Sequence, residues 1–171
     1  FNIDIGVGDI IFPRAEERMI NTQLPDFEAP IIKTYSLEST IAEKFDAILQ
    51  RFELTGRMKD FYDIYYLSRT FNFDGERLQS AIFNTLQRRG TPYDRDSFKR
   101  VVSLGDDEDL QKRWKYFLKT IKDDTLEFPL VIAEIRTFLE PVFDAIINEV
   151  EWRKQWMVNL NWIKDEGSSD L

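Results

Sequence analysis

The sequence predicts an α+β fold that is predominantly helical, with two or three short N-terminal strands followed by a helical bundle. Strands are indicated because apolar and polar residues alternate over Phe1–Val7 (FNIDIGV), a pattern typical of a half-buried strand. Helices are indicated from residue 36 onwards, where apolar residues recur at spacings of three and four. Hydrophobic residues make up 43% of the 171 residues and aromatic residues 14%, which is enough for a folded core.

The N-terminal strands are separated by turn residues and prolines. A glycine–aspartate turn follows the first strand, which is predicted to continue as far as Pro13. Ile31–Tyr35 is the second predicted strand, and the polar residues 14–30 are predicted to form a loop with no more than one helical turn. Two strands are only marginally stable alone, so we expect the sheet to begin before Phe1. A first residue other than Met also suggests that the chain begins inside a longer protein.

The first predicted helix spans Leu37–Arg51. Ser36 is a suitable N-cap because its hydroxyl can accept a hydrogen bond from a free N–H of the first turn. One stripe of this helix is apolar and a second stripe lies on a different side. The apolar stripe contains Ile41, Phe45, Ile48 and Leu49, and the second stripe contains Thr40, Lys44, Ala47 and Arg51. Lys44 is therefore expected to point away from the core.

The second predicted helix spans about Met58–Ser68. Asp60 and Asp63 are three residues apart and therefore share a face. Lys59 and Asp63 are four residues apart and could form an ion pair. Aromatic and aliphatic residues cover the other sides, so this helix is expected to be central and buried.

Further helices are indicated by apolar spacing, acidic N-terminal turns and prolines. One is predicted at about Gly75–Arg88, with Asp74 as its cap, and a short one at Ser97–Val102. A third begins in the acidic stretch Asp106–Asp109 and ends near Ile121. The last is predicted at Leu130–Val150, and Pro141 is expected to kink or split it near Glu140. Trp152, Trp156 and Trp162 are expected to hold a C-terminal tail against the bundle, and the last residues are expected to be disordered. The predicted divisions are a sheet end over 1–35, a helical lobe over 36–150 and a tail over 151–171.

Composition excludes several classes of chemistry. The chain has no cysteine and no histidine, so it offers no disulfide, no thiolate or imidazole metal ligand and no histidine general base. Its net charge of −8 argues against broad electrostatic binding of nucleic acid, though not against a local basic pocket. Neither a membrane span nor a signal peptide is predicted, so the cytoplasm is the expected location.

Each candidate site residue has a structural and a functional interpretation. Lys44 is either a solvated helix lysine or a point charge that binds phosphate, assisted by Arg51. Asp60 and Asp63 either stabilise the helix dipole and pair with Lys59 or Arg57, or serve a site. In a site, one of them would hold Lys44 or accept a proton from an attacking hydroxyl. Asp4, on the first strand, could hold Mg²⁺, although one carboxylate is not a metal site. Tyr62, Tyr65 and Tyr66 could either stack on a base or pack in the core.

Two stretches together resemble a known family. YSLESTIAEKFDAI contains a T-x-x-x-K-x-x-A pattern at Thr40, Lys44 and Ala47, and GRMKDFYDIYYL contains K-D-x-x-D at Lys59, Asp60 and Asp63. In this order and spacing they resemble the AbiEii-like nucleotidyltransferase toxins of abortive-infection and toxin–antitoxin systems. The lead-in FNIDIGVGDIIFP resembles the strand that precedes these motifs in the family.

The resemblance implies a nucleotidyltransferase sheet with a helical lobe, and transfer of a nucleotide from an NTP to an acceptor, which is RNA (tRNA) in studied toxins. It implies Mg²⁺ as the cofactor and a cognate antitoxin as a possible partner. Lys44 would bind the triphosphate with Arg51 and Lys59 nearby, Asp60 or Asp63 would support catalysis, and Asp4 would match a metal-binding carboxylate.

The family's glycine–serine turn and D-x-D pair are absent and are expected before Phe1, so the 171 residues alone are predicted to be inactive. Two alternatives remain. A non-catalytic helical interaction module would show an exposed apolar patch away from Lys44. An RNA-binding domain without catalysis would need a basic surface built from Arg51, Arg57, Lys59, Arg88 and Arg89.

Overall fold

The helices and strands of the chain confirm the predicted α+β, mainly helical fold. The computed structural model describes residues 14–22, 24, 26–52, 56–123 and 125–164. The strands are β1 (Glu16–Met19), β2 (Ile31–Thr34), β3 (Phe73–Asp74), β4 (Lys154–Met157) and β5 (Asn161–Lys164). The helices are α1 (Leu37–Arg51), α2 (Met58–Thr70), α3 (Gly75–Arg89), α4 (Ser97–Ser103), α5 (Glu108–Ile121) and α6 (Phe128–Ile147). The strand predicted at Phe1–Val7, its extension to Pro13 and residues 165–171 lie outside the described residues.

An antiparallel hairpin precedes the helices. Glu16 pairs with Thr34 and Met19 pairs with Ile31, so the predicted second strand is present. The prediction of a loop over residues 14–30 is wrong for β1. The sequence Glu-Glu-Arg-Met has little apolar character, so burial of its side chains contributes little. The strand is instead stabilised by its backbone hydrogen bonds to β2.

Helices α1 and α2 begin where the sequence indicated. The Ser36 hydroxyl accepts a hydrogen bond of 3.1 Å from the backbone N–H of Ser39, which confirms the predicted cap. Helix α1 packs against α2 and α3, and α2 also packs against α5 and α6. Helix α2 buries Phe61 and Ile64 but leaves Tyr66 about half exposed, so it is less completely enclosed than expected.

Helix α6 contributes more buried residues than any other described helix. It packs against α2, α3 and α4, and Phe138, Leu139, Val142 and Phe143 are almost fully buried along it. Pro141 does not split the helix, which continues to Ile147. Proline removes one backbone hydrogen bond, and burial of apolar side chains on both sides of it compensates.

The C-terminal tail is a hairpin rather than an irregular segment. Strands β3, β4 and β5 form an antiparallel sheet in that order, with Phe73 opposite Trp156. The Trp156 Nε1–H donates to the Ser68 carbonyl at 2.7 Å, and the Trp162 Nε1–H donates to the Phe138 carbonyl at 2.9 Å. These contacts fix the tail to α2 and α6, as expected for the tryptophans. No described helix is long and apolar enough to cross a bilayer.

Candidate functional site

Helices α1 and α2 bring Lys44, Asp60 and Asp63 together. The Lys44 Nζ lies 2.6 Å from Asp63 Oδ2 and 3.5 Å from Asp60 Oδ1. The Lys44 side chain is 19% exposed and that of Asp63 is 23% exposed, whereas Asp60 is almost fully buried. The two sequence motifs therefore form one ionic cluster that is partly shielded from water.

Arg57 completes this group, which we call the Lys44 cluster (Lys44, Arg57, Asp60 and Asp63). The Arg57 Nε lies 2.9 Å from Asp60 Oδ2. This contact is ionic but lacks hydrogen-bond alignment, so Asp60 Oδ2 is a buried oxygen without a hydrogen-bond donor in the described structure. Asp60 also occupies the first turn of α2, where a negative charge stabilises the helix dipole. Sequence reasoning left Arg57 and Lys59 open as partners of these aspartates, and the structure places Arg57 against Asp60.

The Lys44 cluster borders two hollows. The first, which we call the polar hollow, has a volume of about 400 Å³ and is lined by Tyr35, Thr40, Glu43, Lys44, Ala47, Arg57, Asp60 and Arg89. The second, which we call the aromatic hollow, has a volume of about 510 Å³ and is lined by Lys44, Gly56, Arg57, Met58, Lys59, Asp60, Arg113, Tyr116, Phe117 and Thr120. Lys44, Arg57 and Asp60 belong to both, so a ligand in either hollow would meet the same charged groups.

The Thr40 pattern lines the polar hollow as a unit. Thr40, Lys44 and Ala47 follow one another along the stripe predicted for α1, and all three are lining residues. The Thr40 hydroxyl donates to the Ser36 carbonyl at 3.0 Å, so it keeps only its lone pairs for a ligand. Ala47 has a small side chain that leaves space in the hollow.

Arg51 and Lys59 occupy different positions relative to the cluster. Arg51 is exposed in the last turn of α1 and lines neither hollow. Lys59 is exposed and lines the aromatic hollow. The predicted Lys59–Asp63 ion pair is not formed among the described residues, because Asp63 contacts Lys44 instead. A lysine from another helix reaches the carboxylate more closely than the lysine four residues earlier.

The described carboxylates do not fit a Mg²⁺ site. Asp60 and Asp63 face Lys44 and Arg57, and no group of three or more acidic residues converges in the described chain. Mg²⁺ requires several oxygen ligands, and cations already occupy these oxygens. Asp4, the residue predicted to bind metal, lies outside the described residues.

The three tyrosines of α2 have different environments. Tyr62 is half-buried and packs against Trp114 and Phe117 with ring centroids 6.4 and 5.7 Å away. Tyr65 packs against the core, and Tyr66 is exposed and stacks on Tyr62. None of the three lines either hollow. The expectation that they pack in the core holds for Tyr62 and Tyr65.

Comparison with known proteins gives one match. A family model described as "Nucleotidyl transferase AbiEii toxin, Type IV TA system" matches residues 1–153. No curated protein and no solved structure matches the chain. The matched range contains both sequence motifs and the whole Lys44 cluster.

Proposed function

The chain belongs to the AbiEii family of nucleotidyl transferase toxins of type IV toxin–antitoxin systems, and we propose that Lys44 binds the phosphates of an NTP while a nucleotide is transferred to an RNA acceptor. The observation that carries this proposal is the pair of ionic contacts from Lys44 to Asp63 and Asp60 at the edge of two hollows.

Phosphate binding suits the position and chemistry of Lys44. Its ammonium is partly exposed, and it is held by carboxylates from a neighbouring helix. A lysine binds phosphate as a point charge, and the two carboxylates fix the position of this charge. The side chain is therefore oriented before the ligand arrives, so less conformational entropy is lost on binding.

Phosphoryl transfer depends mainly on positioning and on electrostatic stabilisation. In nucleotide transfer, an acceptor hydroxyl oxygen forms a bond to the α-phosphorus, the bond to pyrophosphate breaks, and the hydroxyl proton passes to solvent water. The leaving pyrophosphate carries the negative charge that Lys44 would neutralise. Because Asp60 and Asp63 each contact a cation, we assign both a positioning role on Lys44.

The cofactor and partners belong to the same proposal. Mg²⁺ would be held by carboxylates other than Asp60 and Asp63, and Asp4 is one candidate. Residues 1–171 alone would lack transfer activity. A cognate antitoxin would be the protein partner, and the complex would act in the cytoplasm.

The test measures transfer of labelled nucleotide from each of the four NTPs to RNA by the complete protein. We expect Lys44→Ala to lower the rate at least about 100-fold, because removal of one preorganised electrostatic contact costs about this much in other transferring sites. The matched control is Lys99→Ala, because Lys99 also pairs with an aspartate, at 2.8 Å from Asp96, but is exposed and lines neither hollow.

Normal transfer by the Lys44→Ala variant would show that Lys44 is only a helix lysine and would contradict the proposal. Thermal unfolding of both variants checks that the loss is not one of folding. The 171-residue chain is assayed beside the complete protein, and transfer by this chain alone would refute the prediction that it is inactive.

A different surface favours the alternative of a non-catalytic interaction module. Six apolar side chains in and around the β1–β2 hairpin are at least 44% exposed: Met19, Ile20, Leu24, Phe27, Ile31 and Ile32. Exposed apolar patches often mark protein contacts. This alternative would be preferred if the complete wild-type protein transferred no nucleotide and charged substitutions at Ile31 abolished binding of its antitoxin.

A further inference from the structure

Helix α5 has two faces with different surroundings. Leu110, Trp114 and Leu118 are buried in the core. Arg113, Tyr116, Phe117 and Thr120 are spaced by three, one and three residues and line the aromatic hollow. Residues three and four apart lie on one side of a helix, so α5 presents a second, continuous stripe to the hollow that borders the Lys44 cluster.

The aromatic hollow combines cationic and aromatic side chains. Among the described residues that line it, four are cationic (Lys44, Arg57, Lys59 and Arg113) and one, Asp60, is a carboxylate. This local surplus of positive charge contrasts with the net charge of −8 for the whole chain. Its volume of about 510 Å³ lies within the usual range of about 300–1,000 Å³ for small-molecule sites. An anionic ligand with a flat ring suits this lining best.

Tyr116 and Phe117 contribute different surfaces. Phe117 is half-buried and packs against Tyr62 and Trp114, with ring centroids 5.7 and 5.4 Å away. Tyr116 is 74% exposed and has no ring contact with another described aromatic residue. Its ring therefore has a face that can stack on a ligand. A nucleobase stacks on an aromatic side chain in this way without base-specific hydrogen bonds.

We propose that the aromatic hollow binds the base of the NTP whose phosphates contact Lys44, with Tyr116 stacking on that base. The inference rests on the proposed function, because it assigns the second part of the same ligand. Lys44 and Arg57 border both hollows, so phosphates at the Lys44 cluster and a base against α5 can belong to one molecule. Arg113 and Lys59 add positive charge on the α5 side.

The experiment compares binding of the four NTPs with binding of inorganic tripolyphosphate to the complete protein by isothermal titration calorimetry. Tripolyphosphate carries the charge of the NTP but has no base. We expect Tyr116→Ala to weaken binding of the preferred NTP about tenfold, in line with the loss of one stacked base, and to leave tripolyphosphate binding unchanged. Tyr116→Phe keeps the aromatic face and should retain NTP binding.

Tyr66→Ala is the matched control, because Tyr66 is another exposed tyrosine but lines neither hollow; this variant should bind both ligands normally. Lys44→Ala should weaken binding of both the NTP and tripolyphosphate, because it removes a phosphate contact. This pattern would support the inference.

Three results would overturn it in distinguishable ways. Unchanged NTP binding by Tyr116→Ala, with weakened binding by Lys44→Ala, removes the base site and leaves the proposed function intact. If Tyr116→Ala binds the NTP normally but has a raised KM for the RNA acceptor, the aromatic hollow binds the acceptor instead of the base. Absence of NTP binding by the wild-type protein refutes both the inference and the proposed function.

Discussion

Helix α1 contributes residues to two polar clusters that differ in their surroundings. One is the Lys44 cluster. The other, which we call the Asp46 network, comprises Asp46, Gln50, Arg89 and Thr91. Lys44 and Asp46 are two residues apart, and each residue advances about 100° around a helix, so they face nearly opposite sides. Lys44 therefore points towards α2 and the two hollows, and Asp46 points towards the C-terminal end of α3.

Both oxygens of the Asp46 carboxylate accept hydrogen bonds within the protein. Asp46 is fully buried, and its Oδ2 accepts from Gln50 Nε2 at 3.0 Å and from Arg89 at 3.2 Å. Its Oδ1 accepts from the Thr91 hydroxyl, which in turn accepts from Gln50 at 2.9 Å. A buried carboxylate with this many donors is satisfied within the protein, so it joins α1 to the residues that follow α3.

The Lys44 cluster is open by comparison. Lys44 and Asp63 are each about one-fifth exposed, and Lys44 lines both hollows. Among the described residues, no aligned hydrogen-bond donor reaches Asp60 Oδ2. A lysine beside a hollow can exchange a contact with the protein for a contact with a ligand. A fully buried carboxylate can do so only if the structure around it unfolds locally. The central charged group of each cluster therefore separates the two: Lys44 lines both hollows, whereas Asp46 lines neither, and of its network only Arg89 lines the polar hollow.

The largest expected effect on stability belongs to Asp46→Ala. The substitution leaves Arg89, Thr91 and Gln50 without their shared acceptor. Breaking a buried ion pair costs about 3–5 kcal/mol, and we expect about 3 kcal/mol because Arg89 is one-third exposed and can be rehydrated. Urea unfolding of the complete protein measures the change in the free energy of unfolding.

Asp46→Asn is the control for that experiment, because it keeps one acceptor oxygen and should lose less. Transfer activity per folded molecule should stay within about threefold of wild type for Asp46→Ala, since Asp46 lines neither hollow and Arg89, which lines the polar hollow, keeps its contact with Glu43 at 3.9 Å. A variant that is stable but inactive would mean that the Asp46 network serves the reaction directly and would remove the distinction between the two clusters.

The next effect is on activity. Asp63→Asn removes the charge at 2.6 Å from Lys44 Nζ but leaves Asp60 at 3.5 Å. We expect transfer to fall about tenfold, because Lys44 is less firmly oriented, and the free energy of unfolding to change by less than about 1 kcal/mol, as for other partly exposed ion pairs. Steady-state kinetics with the preferred NTP measure kcat and KM separately.

For Asp63→Asn, a rise in KM for the NTP with little change in kcat indicates action through Lys44. A loss as severe as that of Lys44→Ala would instead place Asp63 in contact with the reacting atoms. Wild-type kinetics would show that Asp60 alone positions the lysine.

The smallest effect is expected for Gln50→Ala. Gln50 is exposed but donates two hydrogen bonds to the Asp46 network. Each such bond contributes about 0.5–1.5 kcal/mol, and water can replace part of this contribution at an exposed residue. We expect a loss of about 1 kcal/mol in urea unfolding and unchanged transfer. A loss as large as that of Asp46→Ala would show that the amide is essential to the Asp46 network.

Much of the helical fold could be predicted because its signals are local. Ser36 as a cap, the apolar stripe of α1 and the spacing of Asp60 and Asp63 depend on residues within a few turns of one another. The T-x-x-x-K-x-x-A and K-D-x-x-D patterns likewise identified Lys44 and the two aspartates and pointed to the family. Strands β1, β3, β4 and β5 were missed, because strand pairing depends on distant partners and these segments lack strong alternation.

The sequence by itself determined the positions of most helices, the side of α1 that carries Lys44 and the absence of cysteine and histidine chemistry. Only the tertiary structure decided that Asp63 pairs with Lys44 rather than with Lys59, and that Arg113 and Tyr116 from α5 line a hollow beside the cluster. The physical reason is that helix periodicity fixes which residues share a face, whereas the partner of each face depends on how separate helices pack around the buried core.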